Sequence, residues 1–112
     1  MIEITNIQTT SAAVSITTPP VDLGDLTRYS IETTFSGSNV VGVLTLESSN
    51  YGVIWNTISG STQAIAASAN HIYDVVNSSY RYYRLKWVYT SGTGNIGSKS
   101  FIKEETVKVR GS

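Results

Sequence analysis

The close spacing of turn signals constrains the fold of this chain more than any other sequence feature. Breaks rich in Gly, Ser, Asn and Pro recur roughly every 8–12 residues, as in β-sandwiches and barrels. The clearest breaks are residues 19–20, 36–39, 49–52, 77–79 and 91–95. Apolar and polar side chains alternate between them, which places successive side chains on opposite faces of a strand. We therefore predict an all-β fold: a single antiparallel β-sandwich of about eight strands, with jelly-roll-like or immunoglobulin-like connections.

Length and composition agree with one such domain and exclude several functional classes. The 112 residues carry eight basic and eight acidic side chains, and only 14% of the chain is charged. This balance argues against a nucleic-acid partner, because affinity for nucleic acid comes largely from neutralised phosphates. Cysteine is missing from the sequence, so disulfides and thiolate metal sites are excluded. Since no break is long enough for a linker, we expect one domain over residues 1–112.

The first residues predict a folded strand rather than a targeting segment. Apolar and polar side chains alternate there, and we expect Ile2, Ile4 and Ile7 to face inward. A secretory signal would need a basic start and an apolar stretch of roughly 7–15 residues. Apolar runs also stay well below the ~18 residues that span a bilayer, so we expect no membrane partner. Residues 1–28 are expected to form either an arm that docks elsewhere or an extra strand of the sandwich.

The apolar faces of the predicted strands supply the expected core. Tyr83, Leu85, Trp87 and Tyr89 lie on one face of the strand that contains them, while the opposite face of this strand is largely polar. For Trp55 the alternative to the core is an exposed ring that stacks on a sugar. The expected core residues are Ile31, Phe35, Leu44, Leu46, Trp55, Leu85 and Trp87.

Side chains that usually carry catalysis are sparse and scattered. His71 is the sole imidazole in the sequence, so no serine has an evident partner base. The carboxylates are spread along the chain, and no pair is placed for glycoside hydrolysis. Residues 22–25 contain oxygen donors that suit calcium, but a solvated loop is the favoured interpretation. We expect a protein that is not an enzyme, with no cofactor and no bound metal.

Two stretches of the chain resemble a known family. Residues 44–58 read L-T-L-E-S-S-N-Y-G-V-I-W-N-T-I. This resembles the L-x-x-S-x-D-G-x-x-W-x-x-I hairpin of small β-sandwich proteins encoded by tailed bacteriophages, although Tyr51 stands where that pattern has Asp. Residues 80–85 read Y-R-Y-Y-R-L and precede S-G-T-G, which resembles the Y-R-Y-V-R-V strand of the same group. That strand is also similar to the A-R-Y-I-R-L strand of discoidin-like and carbohydrate-binding jelly rolls.

The resemblance implies a virion structural or accessory protein of a tailed phage, such as a capsid decoration protein or a head or tail adaptor. Such a protein is made in the host cytoplasm and located in the virion, and it contacts copies of itself or capsid and tail proteins. The alternative is a carbohydrate-binding module that uses exposed aromatic side chains, and a host-encoded adhesion domain is a third hypothesis. Candidate contacts for a glycan or a protein partner are Tyr51, Tyr80, Tyr82 and Arg84.

Overall fold

The computed structural model of the protein describes residues 2–37, 39–66, 68–76 and 78–103. The expected single domain also includes residues 104–112, which lie outside these ranges. Ten β-strands and no helix are found in the described ranges. In chain order they are β1 (Ile2–Ser11), β2 (Ile16–Thr17), β3 (Val21–Asp22), β4 (Arg28–Ser36), β5 (Val41–Ser49), β6 (Asn56–Thr57), β7 (Gln63–Ile65), β8 (Ala69–Val75), β9 (Tyr82–Ser91) and β10 (Asn95–Lys103).

The strands form two antiparallel sheets that pack face to face. The first sheet has the strand order β1-β10-β4-β8. In the second sheet β9 and β5 are central neighbours, with β2 and β3 pairing β9 and with β6 and β7 pairing β5. The predicted all-β antiparallel sandwich is confirmed. There are more strands than the expected eight or so, because short strands of two or three residues complete the edges of the second sheet.

The N-terminal segment contributes a strand to this chain's own sandwich. β1 pairs with β10 along one edge of the first sheet. Its register shifts between Thr5 and Ile7, and this bulge turns the Ile7 side chain into the core. Ile4 is half-buried. The expectation that Ile2 faces inward is wrong, because this side chain lies at the start of an edge strand and is exposed.

Aromatic rings occupy the centre of the core between the two sheets. Tyr29 of β4 stacks on Tyr83 of β9, with ring centroids 4.1 Å apart and planes inclined by 8°. The Trp87 ring has room only because its neighbour is Gly42, where a Cβ would lie 2.5 Å from Trp87 Cη2. Most of the predicted core is confirmed by burial, namely Ile31, Phe35, Leu44, Leu46, Leu85 and Trp87.

Trp55 is the exception, and its assignment to the core is wrong. In the segment that carries Trp55, only Asn56–Thr57 forms a strand, and this strand pairs with the end of β5. Residues 50–55 leave the sheet as a loop, so the alternation on which the core assignment rested does not apply to them. The Trp55 ring is half-buried on the outer side of the second sheet, where it covers a charged side chain of β9.

Buried phenol groups add hydrogen bonds that link the two sheets. Tyr73 of β8 donates to the Ser61 carbonyl at 2.7 Å. Tyr83 of β9 donates to the Ser100 hydroxyl of β10, also at 2.7 Å. Burial raises the pKa of Tyr73 to about 12, and it raises the pKa of Tyr29 and of Tyr83 as well. These phenols therefore keep their protons well above the pH at which an unfolded tyrosine ionises.

Truncation of Leu85 tests the face assignment of β9. Leu85 is 1% exposed, so Leu85→Ala is expected to lower the free energy of unfolding by about 2–5 kcal/mol. Val88 lies on the opposite face of the same strand and is 42% exposed, and Val88→Ala is expected to cost under about 1 kcal/mol. Urea unfolding measures both values. Equal costs for the two variants would contradict the register, because a slip by one residue exchanges the faces.

The raised pKa values predict a loss of stability at alkaline pH. An unfolded tyrosine ionises near pH 10, about two pH units below the pKa of about 12 for folded Tyr73. The unfolded state therefore releases its proton first, and stability that is complete below pH 10 falls as the pH rises towards 12. We expect Tyr73→Phe to reduce this fall by about 1 kcal/mol in urea titrations at pH 8 and pH 11. Tyr51→Phe, at an exposed ring, is the control; an unchanged fall in Tyr73→Phe would contradict the assignment.

Candidate functional site

An exposed apolar loop projects from the end of the sandwich at which β5 ends. Tyr51, Val53 and Ile54 form this apolar tip, and they are 87%, 79% and 75% exposed. Gly52 between them has φ of 77°, in the left-handed region that glycine adopts without a Cβ clash. The Gly52 amide donates to the Ser49 hydroxyl at 2.9 Å, which closes the turn on the last residue of β5. The tip is thus held on a turn of defined shape.

A first cleft, the tip cleft, lies between this loop and the chain that leads into β9. Its volume is about 510 Å³. Tyr51 and Tyr80 supply aromatic rings, while Asn50 and Asn56 supply amide groups that donate and accept hydrogen bonds. Its lining residues are Ser49, Asn50, Tyr51, Val53, Ile54, Asn56 and Tyr80.

A second cleft, the inter-sheet cleft, lies where the end of β8 in the first sheet faces β6 in the second sheet. Its volume is about 370 Å³. Its described lining consists of hydroxyl groups, one amide and a few aliphatic side chains, and none of these described residues is charged. Its lining residues are Ser48, Asn56, Thr57, Ile58, Ser59, Val75, Val76, Ser78, Ser79 and Tyr80.

Tyr80 lies at the junction of the two clefts on a braced segment of chain. The Ser78 hydroxyl donates to the Tyr80 carbonyl at 2.9 Å and lies 3.2 Å from the Tyr80 amide, which donates to it. The Ser78 amide donates to the Thr27 carbonyl at 2.8 Å and ties the segment to the neighbouring loop. These bonds restrain the backbone that carries the Tyr80 ring before any ligand binds.

Arg84 is held on the outer face of the second sheet by two groups. Its Nε donates to Glu47 Oε1 at 2.8 Å, across the pairing of β5 and β9. Its guanidinium carbon also lies 4.1 Å from the centroid of the Trp55 ring, in cation–π geometry. Both charges are largely shielded from water, with the Arg84 and Glu47 side chains 24% and 11% exposed. Arg84 therefore already has an ion-pair partner and an aromatic partner within the chain.

The structure brings two of the predicted contact residues together and separates the others. Tyr51 and Tyr80 line the tip cleft. Tyr82 and Arg84 lie outside both clefts, and the Tyr82 ring is near the Arg81 guanidinium at 5.5 Å. Sequence reasoning missed the two asparagines and the exposed aliphatic pair of the tip. The sequence does contain a signal for the tip, because three apolar residues within four positions of a turn are unusual for a solvated loop.

Asp22, the first acidic residue of the 22–25 loop, is engaged by protein groups. Asp22 accepts two hydrogen bonds from Arg81, at 2.8 and 3.0 Å, and a third from the Gly24 amide. The Arg81 bond and then the Gly24 bond lower the pKa of Asp22. Among the described residues, no group of three or more His, Cys, Asp or Glu side chains is placed to hold a metal ion. The described part of the chain also has no helix long and apolar enough to cross a membrane.

Comparison with known proteins finds a likeness among solved structures. No protein-family model matches the chain, and no curated protein matches it. Among solved structures, the chain is similar to the PBSX exported protein XepA, with 20% sequence identity and a TM-score of 0.66. The similar region covers 97% of this chain and 40% of that protein. The chain thus spans less than half the length of XepA, and the likeness establishes a shared fold.

The shielded ion pair between Arg84 and Glu47 gives a prediction about stability. Glu47→Gln removes the charge that faces the shielded Arg84 guanidinium, and we expect a loss of about 1–3 kcal/mol in urea unfolding. Glu3 pairs with Lys99 at 3.5 Å with both side chains more than half exposed, and Glu3→Gln is expected to cost under about 1 kcal/mol. Equal losses in the two variants would show that the Glu47 pair behaves as an ordinary surface pair.

Proposed function

We propose that this protein is a non-enzymatic structural or accessory protein of a tailed phage that acts through protein–protein contacts. Its place in the particle is that of a capsid decoration protein or a head or tail adaptor. The resemblance of residues 44–58 and 80–85 to phage-encoded sandwich proteins supports this proposal. So does the fold shared with an exported protein of the phage PBSX. XepA is described as an exported protein, which does not by itself indicate a place in the virion. Location in the virion is therefore part of our proposal.

The apolar tip is the observation that carries the proposed contact. Tyr51, Val53 and Ile54 are among the most exposed large apolar side chains of the described residues. A cluster of such side chains on a folded domain is typical of a protein interaction site. Tyr51 suits the centre of an interface, because a tyrosine buries a large area and orders few rotatable bonds. The tip carries no charge, which favours an apolar recess on the partner over an ionic patch.

Mutation of the apolar tip, followed by measurement of attachment to phage particles, tests this proposal. The variant Tyr51→Ser/Val53→Ser/Ile54→Ser should fold as the wild type does, because these side chains lie outside the core. Phage particles from the strain that encodes this protein are purified on a density gradient, and the copy number of the protein per particle is measured by quantitative mass spectrometry. We expect the wild-type protein at a fixed copy number. We expect the triple variant to be reduced at least about tenfold, as for the loss of interface anchor residues.

Val14→Ser is the matched control for this experiment. Val14 is 55% exposed and lies near the turn between β9 and β10, at the opposite end of the sandwich. It should attach as well as the wild type. The proposal is wrong if the wild-type chain is not found in particles, or if the triple variant attaches as well as the control. Circular dichroism of each variant separates unfolding from loss of contact.

A carbohydrate-binding module is the second candidate, and the tip cleft is the observation in its favour. Sugar rings pack their apolar C–H faces on aromatic side chains, and their hydroxyls bond to planar amides. Tyr51 and Tyr80 provide the aromatic groups in the tip cleft, and Asn50 and Asn56 provide the amides. The volume of about 510 Å³ lies within the range of about 300–1,000 Å³ usual for small-ligand sites.

A further inference from the structure

We infer that the tip cleft and the inter-sheet cleft are two parts of one site for an uncharged oligosaccharide of at least two sugar units. The inference rests on the carbohydrate-binding candidate above and extends it. In this site the tip cleft receives one sugar against the tyrosine rings. The inter-sheet cleft receives the next sugar and binds it through hydroxyl and amide groups.

The two clefts share part of their walls. Asn56 and Tyr80 line both of them. A ligand that fills the tip cleft therefore reaches the inter-sheet cleft by passing these two side chains. Tyr80 is braced by Ser78, so the wall between the two parts has a defined position. A chain of sugars, in which each ring is followed by a flexible linkage, fits two neighbouring compartments of this kind.

The charge of the lining determines the class of ligand. Among the residues that the structure describes, neither lining contains Asp, Glu, Lys, Arg or His. A phosphate, a nucleotide or an acidic sugar would lose its hydration there without gaining an opposite charge. The polar groups present are amides and hydroxyls, which can both donate and accept hydrogen bonds. This lining is complementary to a neutral ligand with many hydroxyl groups.

A buried hydroxyl in the inter-sheet cleft lacks a partner within the protein. Ser48 is 1% exposed and lies among the lining residues, and its Oγ has no hydrogen-bond partner among the described residues. A buried hydroxyl without a partner is unfavourable, and nearly all such groups in proteins are paired. This Oγ is closed off from solvent in the structure, so a hydroxyl of the second sugar supplies the missing partner once the Ser48 side chain rotates towards the cleft. This makes Ser48 the residue that distinguishes a longer ligand from a single sugar.

Glycan binding of matched variants tests the inference. The probes are the mono-, di- and trisaccharides of glucose, galactose and N-acetylglucosamine on an array, followed by calorimetric titration of the series that binds. We expect the wild type to bind the disaccharide of that series at least about tenfold more tightly than its monosaccharide. Ser48→Ala should weaken disaccharide binding by roughly 3–10-fold and leave monosaccharide binding unchanged. Its melting temperature should not fall, because the lost hydroxyl has no hydrogen-bond partner within the described part of the chain.

Two tyrosine variants complete the design. Tyr80→Ala should weaken both sugars by about tenfold, since it removes the ring common to both clefts. Tyr82→Ala changes a similarly half-buried tyrosine outside both clefts and should have no effect. If no neutral glycan binds, the carbohydrate candidate and the inference both fail. If a glycan binds but the disaccharide has no advantage and Ser48→Ala behaves as the wild type, the candidate stands and the two-part site is wrong.

Discussion

The contact between Tyr29 and Tyr83 joins the two sheets in the core, and the direction in which the neighbouring side chains of β9 point follows from it. Tyr29 lies in the first sheet and Tyr83 in the second, and the two rings stack at 4.1 Å. The Tyr83 hydroxyl also donates a hydrogen bond to Ser100 of the first sheet. This bond fixes where Tyr83 lies along β9 relative to the first sheet, as well as the face of β9 on which it lies. Because side chains alternate along a strand, burial of Tyr83 directs Tyr82 and Arg84 outward.

The candidate site lies beyond the strand ends, next to this contact between the sheets. The Tyr80 segment precedes β9 at the end of the sandwich, where the loop after β5 and the chain after β8 also emerge. The paired strands are held by backbone hydrogen bonds and a packed core, whereas the loops between them are free to present side chains to a partner. Binding residues on loops that a rigid scaffold positions are the usual arrangement in sandwich domains.

The proposed protein contact and the proposed glycan site use one end of the molecule in different ways. The apolar tip presents side chains outward, and the two clefts receive a ligand inward. Tyr51 belongs to both, because its ring is exposed at the tip and also lines the tip cleft. The inter-sheet cleft involves none of the tip side chains. Mutation of the inter-sheet cleft therefore separates the two proposed activities, and neither the tip nor the described lining of either cleft carries a charged side chain.

The sequence by itself determined the sheet content, the antiparallel sandwich and most of the core, because alternation with a period of two is a local property that burial then enforces. It also predicted Tyr51, Tyr80, Tyr82 and Arg84 as candidate contacts, of which Tyr51 and Tyr80 line one cleft. Tertiary structure alone decided that Ile7 turns inward at a bulge and that Trp55 covers Arg84. It also decided that Ser48 and Tyr80 share a cleft. These features depend on which strands become neighbours, and residues as distant in sequence as β5 and β9 have no local pattern that records their pairing.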